Sequence, residues 1–201
     1  VLTQNTAWAN VRRAIQNLEA AGLLTLEALQ RADADTVRAL IRPSGFYNVK
    51  YRRLRHLLDY LRAQPDGWER LYTAPLEALR EELLAIQGIG PETADSILLY
   101  AFERPTFVVD AYTRRLFGRL GERWLEEAPY EAVRAQFMAH LPTDRALYNE
   151  YHALIVVHGK ARCRQRPLCA ACPLEEDCLY LAQSRSATAT AQPRIVDGEL
   201  T

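Results

Sequence analysis

The sequence predicts an all-α chain, and three observations carry that expectation. Apolar residues recur at helical spacing along most of the 201 residues. Proline and glycine punctuate that pattern at intervals suited to ordinary helices. Only one stretch, Phe107-Val108-Val109, looks strand-like, and it is too short to found a sheet.

The elements follow in order. Trp8, Val11, Ile15 and Leu18 share one helix face. Val37, Leu40 and Ile41 mark a second helix, with Asp33 or Asp35 as its cap. Pro43-Ser44-Gly45 breaks the chain, and Asn48 is placed to cap a helix carrying Val49, Leu54, Leu57, Leu58 and Leu61. Pro65-Asp66-Gly67 reads as a turn. Pro75 suits the first turn of a helix running to about Ile86. Gly88-Ile89-Gly90 is a tight break, and Pro91 opens a helix to about Phe102. Further helices are expected at about 111–120, 129–140 and 144–158. From Ser184 the residues are small and polar, so 184–201 is expected to be a tail, with a C-terminal strap on the core as the alternative.

Composition bounds the function. Lys+Arg and Asp+Glu number 25 each, so the formal charge is zero, and 49% of residues are hydrophobic. That is too apolar for a disordered chain. No apolar run reaches the ~18 residues of a membrane span. Neutrality argues against nucleic-acid binding by bulk charge alone and leaves a local basic face open. Only Lys50 and Lys160 are lysines, so arginine, the better phosphate fork, supplies nearly all the cations. The first residues, VLTQNTAWAN, carry no basic or apolar leader, so a signal peptide is not expected; the chain reads as though it starts inside an element. Cys163, Cys169, Cys172 and Cys178 lie within 16 residues, unlike the scattered bridges of a secreted protein.

Chemistry concentrates at two places. In LLAIQGIGPETADSILLYA an apolar helix ends, Gly-Ile-Gly turns the chain, and Pro91 opens a second helix with Glu92 where the dipole favours a carboxylate. Such a turn can pack two core helices, or it can present backbone N–H groups to an anion. Asp110 follows the Phe107–Val109 run at the start of the next helix, as an N-cap or as a functional carboxylate. The cysteine spacing is C-x5-C-x2-C-x5-C. Four thiolates this close suit tetrahedral zinc or an iron–sulfur cubane, and the single C-x2-C knuckle leans away from zinc.

Ile86, Gly88, Ile89, Gly90, Thr93, Ala94, Val109 and Asp110 together resemble the helix-hairpin-helix DNA glycosylases of the endonuclease III family. The resemblance implies a helical barrel domain bearing the hairpin over 1–104, an iron–sulfur helical domain over 105–183, and Asp110 at the mouth of a DNA-binding cleft between them. Hairpin amides at Gly88, Ile89 and Gly90 would then hold DNA phosphate, and Asp110 would be the essential carboxylate. Breaking a base–sugar bond builds oxocarbenium character, which a fixed anion stabilises; the same anion can position or deprotonate water. The base must leave the stack to reach such a group. The four cysteines would ligate a 4Fe-4S cluster, although the family's first interval is one residue longer than here.

The departures are informative. Bifunctional members carry a lysine two positions after the hairpin glycines, which forms a Schiff base with the abasic sugar. Glu92 stands there, and a carboxylate cannot form an imine. The resemblance therefore implies a mainly monofunctional glycosylase. Glu92 and Asp110 as a pair favour a cationic leaving group such as an alkylated purine. LTQNT at 2–6 and RPSGFYNVK at 42–50 resemble the 3-methyladenine branch. Gln4 matches the residue that fills the gap left by the flipped base, or caps the first helix with Asn5 or Thr6 as rivals. Arg114 and Arg115 follow Asp110, Arg164 sits in the cysteine loop with Arg162, Arg166 and Lys160, and Lys50–Arg55 is basic; each group can meet phosphate or be solvated. The four histidines show no metal-ligand spacing and read as structural. The expected partner is duplex DNA with a damaged base. The expected setting is a cytoplasmic, nucleoid-associated bacterial monomer. The alternatives are a bifunctional enzyme on oxidised pyrimidines, a catalytically weak damage-binding protein, and a zinc-stapled interaction protein.

Overall fold

A computed structural model describes residues 1–64 and 67–190. Among them every regular element is helical, and no helix is long and apolar enough to cross a membrane. Pro65 and Asp66 of the expected turn, and residues 191–201 of the expected tail, lie outside this range. The chain divides into two compact units, Val1–Pro105 and Thr106–Thr201.

The first unit contains α1 (Trp8–Ala20), α2 (Leu26–Arg31), α3 (Ala34–Ile41), α4 (Tyr47–Arg62), α5 (Leu76–Ala85) and α6 (Pro91–Tyr100). Asp33 caps α3 by accepting from the Asp35 and Thr36 amides. The α1 face differs from the expected stripe: Val11, Ala14 and Leu18 are buried, while Trp8 and Ile15 are exposed. Ala14 is small enough to let α1 approach Val37 and Ile41 of α3. Asn48 does not cap α4. The helix starts after Phe46, which follows Gly45 in left-handed backbone at φ 46° and stays largely exposed. A second apolar cluster joins Leu79 and Leu83 of α5 to Ala94 and Leu98 of α6, with Ile86 and Ile89 from the turn between them.

Three buried charged side chains stand out among the described residues of this unit. Arg80 of α5 meets Asp95 of α6 as a fork, Nε to Oδ1 at 2.9 Å and Nη2 to Oδ2 at 3.1 Å. Lys50 is buried too, its Nζ donating to the Leu2 carbonyl at 2.9 Å and the Ser44 carbonyl at 2.7 Å. Burial, and then the Arg53 charge, pull its ammonium below the ordinary lysine value. Lys50 therefore leaves the basic surface expected for 50–55 and ties the N-terminal segment to the turn before α4.

The second unit contains α7 (Ala111–Leu120), α8 (Tyr130–His140), α9 (Arg145–Ala161) and α10 (Leu179–Thr190). Phe107-Val108-Val109 is extended but pairs with no strand; it runs buried through this unit's core. Phe107 stacks on Phe137 with ring centroids 4.3 Å apart and meets Tyr148 edge-on. Tyr130 accepts from the Val109 amide, and Arg134 donates to Thr106, so α8 fixes the run that leads to Asp110. Within the segment expected to be a tail from Ser184, α10 continues to Thr190. Its alanines are strong helix formers. Ser184 and Ser186 return their hydroxyls to carbonyls one turn back, which keeps those polar groups satisfied within the helix.

The Arg80–Asp95 fork fixes the angle at which the hairpin's two helices meet. Asp95→Ala removes one partner of this buried ion pair, and urea unfolding should then report a loss of about 3–5 kcal/mol.

Candidate active site

The hairpin turn uses its two glycines differently. Gly88 holds φ +94°, a conformation L side chains rarely adopt, and a Cβ there would strike the Arg53 stem. Gly90 is extended at φ −97°, so its own backbone does not demand glycine. A Cβ on Gly90 would meet nothing within 4 Å, so there is open space beside it. As N-cap of α6 it gives no side-chain bond to the first-turn amides, the arrangement in which a helix N-terminus accepts an anion. Ile89 is buried in the cluster below the turn. Glu92 is exposed in the first turn of α6.

Gln4 does not cap α1, whose N-cap is Ala7 without a side-chain bond. Its amide Nε2 donates to the Gly88 carbonyl at 3.1 Å and to Thr93 Oγ1 at 3.0 Å. The structure thus joins Gln4 to the hairpin across more than eighty residues of chain.

Asp110 is the N-cap of α7, and its capping box uses one oxygen. Oδ1 accepts from the Thr113 amide at 2.8 Å and from Thr113 Oγ1 at 3.0 Å. Oδ2 lies 3.5 Å from His152 Nε2 on α9. Both side chains are nearly buried, at 13% and 10% exposure. Burial raises the carboxyl's pKa, but the His152 hydrogen bond, the Thr113 amide, the His152 charge and the Thr113 hydroxyl outweigh it. The net direction is downward, which keeps Asp110 ionised. His152 was not singled out from sequence, because a histidine within an apolar helix resembles any satisfied core histidine.

The basic residues after Asp110 serve the backbone. Arg114 donates to the Leu125 and Ala128 carbonyls, and Arg115 to the Cys163 and Gly159 carbonyls. Arg119 donates to Cys163 Sγ at 3.2 Å and to the Arg164 and Gln165 carbonyls, and stacks over the Tyr180 ring. Arg164 is exposed, with its Nε donating to the Lys160 carbonyl.

Cys163, Cys169, Cys172 and Cys178 are free thiols lining one pocket whose walls include Leu116, Leu120 and Leu168. Burial, and then the other cysteines, raise the Cys169 thiol above its ordinary value, against the opposing charge of Arg119. Among the described residues, no set of three or more His, Cys, Asp or Glu closes around a single metal ion.

Comparison with known proteins agrees with the all-helical fold. Residues 1–143 match the HhH-GPD superfamily base excision DNA repair protein family. The chain is 48% identical over 181 residues to a protein of Methanocaldococcus jannaschii provisionally named a DNA repair glycosylase, covering 89% of this chain and 82% of that one. It is 30% identical over 183 residues to endonuclease III of Sulfolobus acidocaldarius, covering 90% and 78%. Among solved structures it resembles the H. pylori 3-methyladenine DNA glycosylase bound to 1,N6-ethenoadenine, with a TM-score of 0.64, 29% identity, and coverage of 79% and 80%. A non-covalent endonuclease III–DNA complex shares the fold at a TM-score of 0.76 and 24% identity, covering 92% and 82%. The all-helical fold, the glycine hairpin and the part-buried Asp110 thus accompany a family match over most of the chain, which belongs to the HhH-GPD superfamily of base excision DNA repair proteins as an endonuclease III-like DNA glycosylase.

Proposed function

We propose that the chain is a mainly monofunctional glycosylase that releases an alkylated purine from duplex DNA, acting as a cytoplasmic monomer. The observation that carries this reading is Glu92 in the first turn of α6, where the resemblance puts the lyase lysine. No amine is available at that position to form an imine with the abasic sugar. The likeness to a 3-methyladenine glycosylase bound to an alkylated adenine supports the choice of base. A base that already carries positive charge departs as a neutral molecule, so the enzyme need supply little acid.

Asp110 then acts on the sugar. Its charge opposes the developing oxocarbenium; Oδ1 is engaged by Thr113, and Oδ2, which faces His152, is the oxygen that would also meet water. His152 holds that carboxylate in orientation and in its ionised state. The hairpin amides take a DNA phosphate and the exposed Arg164 borders the DNA backbone, while Gln4, Arg114 and Arg115, held by protein partners, shape the site around them.

The four cysteines fit a 4Fe-4S cluster. Each thiolate of a cubane binds a different iron, so its sulfurs stand further apart than those around one zinc. Four free thiols lining one pocket supply the donor set that such a cluster needs. When bound, the cluster ties the cysteine loop together and can carry an electron; bond cleavage does not need it. Arg119 and Arg115 hold the same loop by its carbonyls.

Five outcomes test this reading. Asp110→Asn should abolish base release from methylated duplex DNA while leaving binding largely intact; a variant that still turns over removes Asp110 from the chemistry. A carboxylate held below its ordinary value of about 4 stays charged as pH falls through that range. The acid limb of kcat/KM should therefore lie low for the native protein. His152→Ala should move that limb upward, because burial then faces only the Thr113 donors. Glu92→Gln should slow release of the methylated base, and unchanged turnover would remove the charge argument. Strand cuts should appear only after alkali, whereas Glu92→Lys should become trappable by borohydride. Purified protein should absorb near about 400 nm and lose that band in Cys169→Ser; a colourless zinc-containing preparation overturns the cluster.

A further inference from the structure

Arg53, on α4, reaches the hairpin in two ways. Its Nη1 donates to Gln4 Oε1 at 2.7 Å. Its side-chain stem lies directly against Gly88. A guanidinium has no acceptor, so it must meet the oxygen of the Gln4 amide. That choice turns the Gln4 NH2 toward the Gly88 carbonyl and the Thr93 hydroxyl, where both bonds form. The relay therefore spans the turn, with Gly88 before its second glycine and Thr93 after it. His56, on the next turn of α4, meets the Gln87 carbonyl at 2.9 Å, so the same helix backs the loop at a second point.

We infer that Arg53 is a positioning residue for the anion site of the hairpin. It acts through Gln4 to set the shape of the turn, and it is not itself a phosphate contact. This rests on reading the hairpin as a grip on DNA. A cation beside a phosphate site invites the opposite assignment, and the two differ measurably. A residue that neutralises one phosphate contributes about 0.9 to the slope of log affinity against log salt. A residue that shapes the turn changes affinity and leaves the slope alone. Members of one relay also lose energy non-additively, whereas independent contacts add.

The test measures binding of a duplex carrying an abasic-site analogue at several salt concentrations, so it does not depend on which base is excised. Arg53→Met keeps the stem against Gly88 and removes the donor. We expect Arg53→Met and Gln4→Ala each to weaken binding about tenfold, the double variant to bind no worse than the weaker single, and all slopes to match the native one. A slope shallower by about one in Arg53→Met, multiplied losses in the double variant, or native affinity in Arg53→Met overturns the inference. If Arg53→Met does not fold, Gln4→Ala and Arg53→Lys decide it. Gln4→Ala must show the loss at an unchanged slope. Arg53→Lys keeps the charge without the fork and must bind more weakly than native; full affinity in either variant overturns the relay. Native protein that binds no such duplex overturns the grip itself, and with it this inference.

Discussion

Asp95 is fully buried, and a carboxylate out of water is stable only if donors match its charge. Arg80 supplies that match in a fork that permits little rotation. Because Arg80 lies on α5 and Asp95 on α6, the charge requirement becomes a geometric one: the two helices must meet at the angle the fork accepts. The Gly88–Gly90 turn is what remains to connect them. Ile86 and Ile89 anchor it from below, and its upper side is left to backbone. An apolar contact could hold the helices as firmly but would set their rotation less sharply. A site made of amides needs that precision, since it cannot adjust rotamers to its ligand.

Asp110 follows the same rule with a different set of donors. It is the N-cap of α7, and in the proposed reading the same residue is also the functional carboxylate. The cap engages Oδ1, and it stiffens the side chain that must present a charge. His152 then approaches Oδ2 from another helix. A carboxylate buried without these partners would move toward its neutral form and lose its use against a cationic sugar. If Asp110 acts as proposed, folding and chemistry draw on the same hydrogen bonds, and substitutions at Thr113 or His152 act on both.

Much of this was legible in sequence, for reasons of range. Helices declare themselves through local periodicity, and α5 to α9 lie close to their expected bounds. The hairpin and the cysteine set are also local patterns. What escaped was held by distant partners. Lys50 reads as one more cation in KYRRLR, and only the carbonyls of Leu2 and Ser44 explain its burial. Asp95 and His152 interrupt apolar faces and look like tolerated polar residues until Arg80 and Asp110 are found opposite them. Asn48 is a good cap by composition, yet consecutive left-handed residues at Gly45 and Phe46 start the helix without it.

The neutral charge count takes a different meaning once the arginines are traced. Arg55, Arg104, Arg114, Arg115, Arg119, Arg162 and Arg164 all donate to backbone carbonyls. An all-helical chain with several irregular connections leaves many carbonyl groups without helical partners, and long arginine forks can reach them from the helices. The wealth of arginine is thus in good part structural. Bulk charge is a poor means of holding DNA when so many cations are already engaged. In the proposed reading affinity comes instead from a few oriented groups, among them the hairpin amides, whose turn has the buried Arg80–Asp95 pair on one side and the Arg53–Gln4 hydrogen bonds on the other.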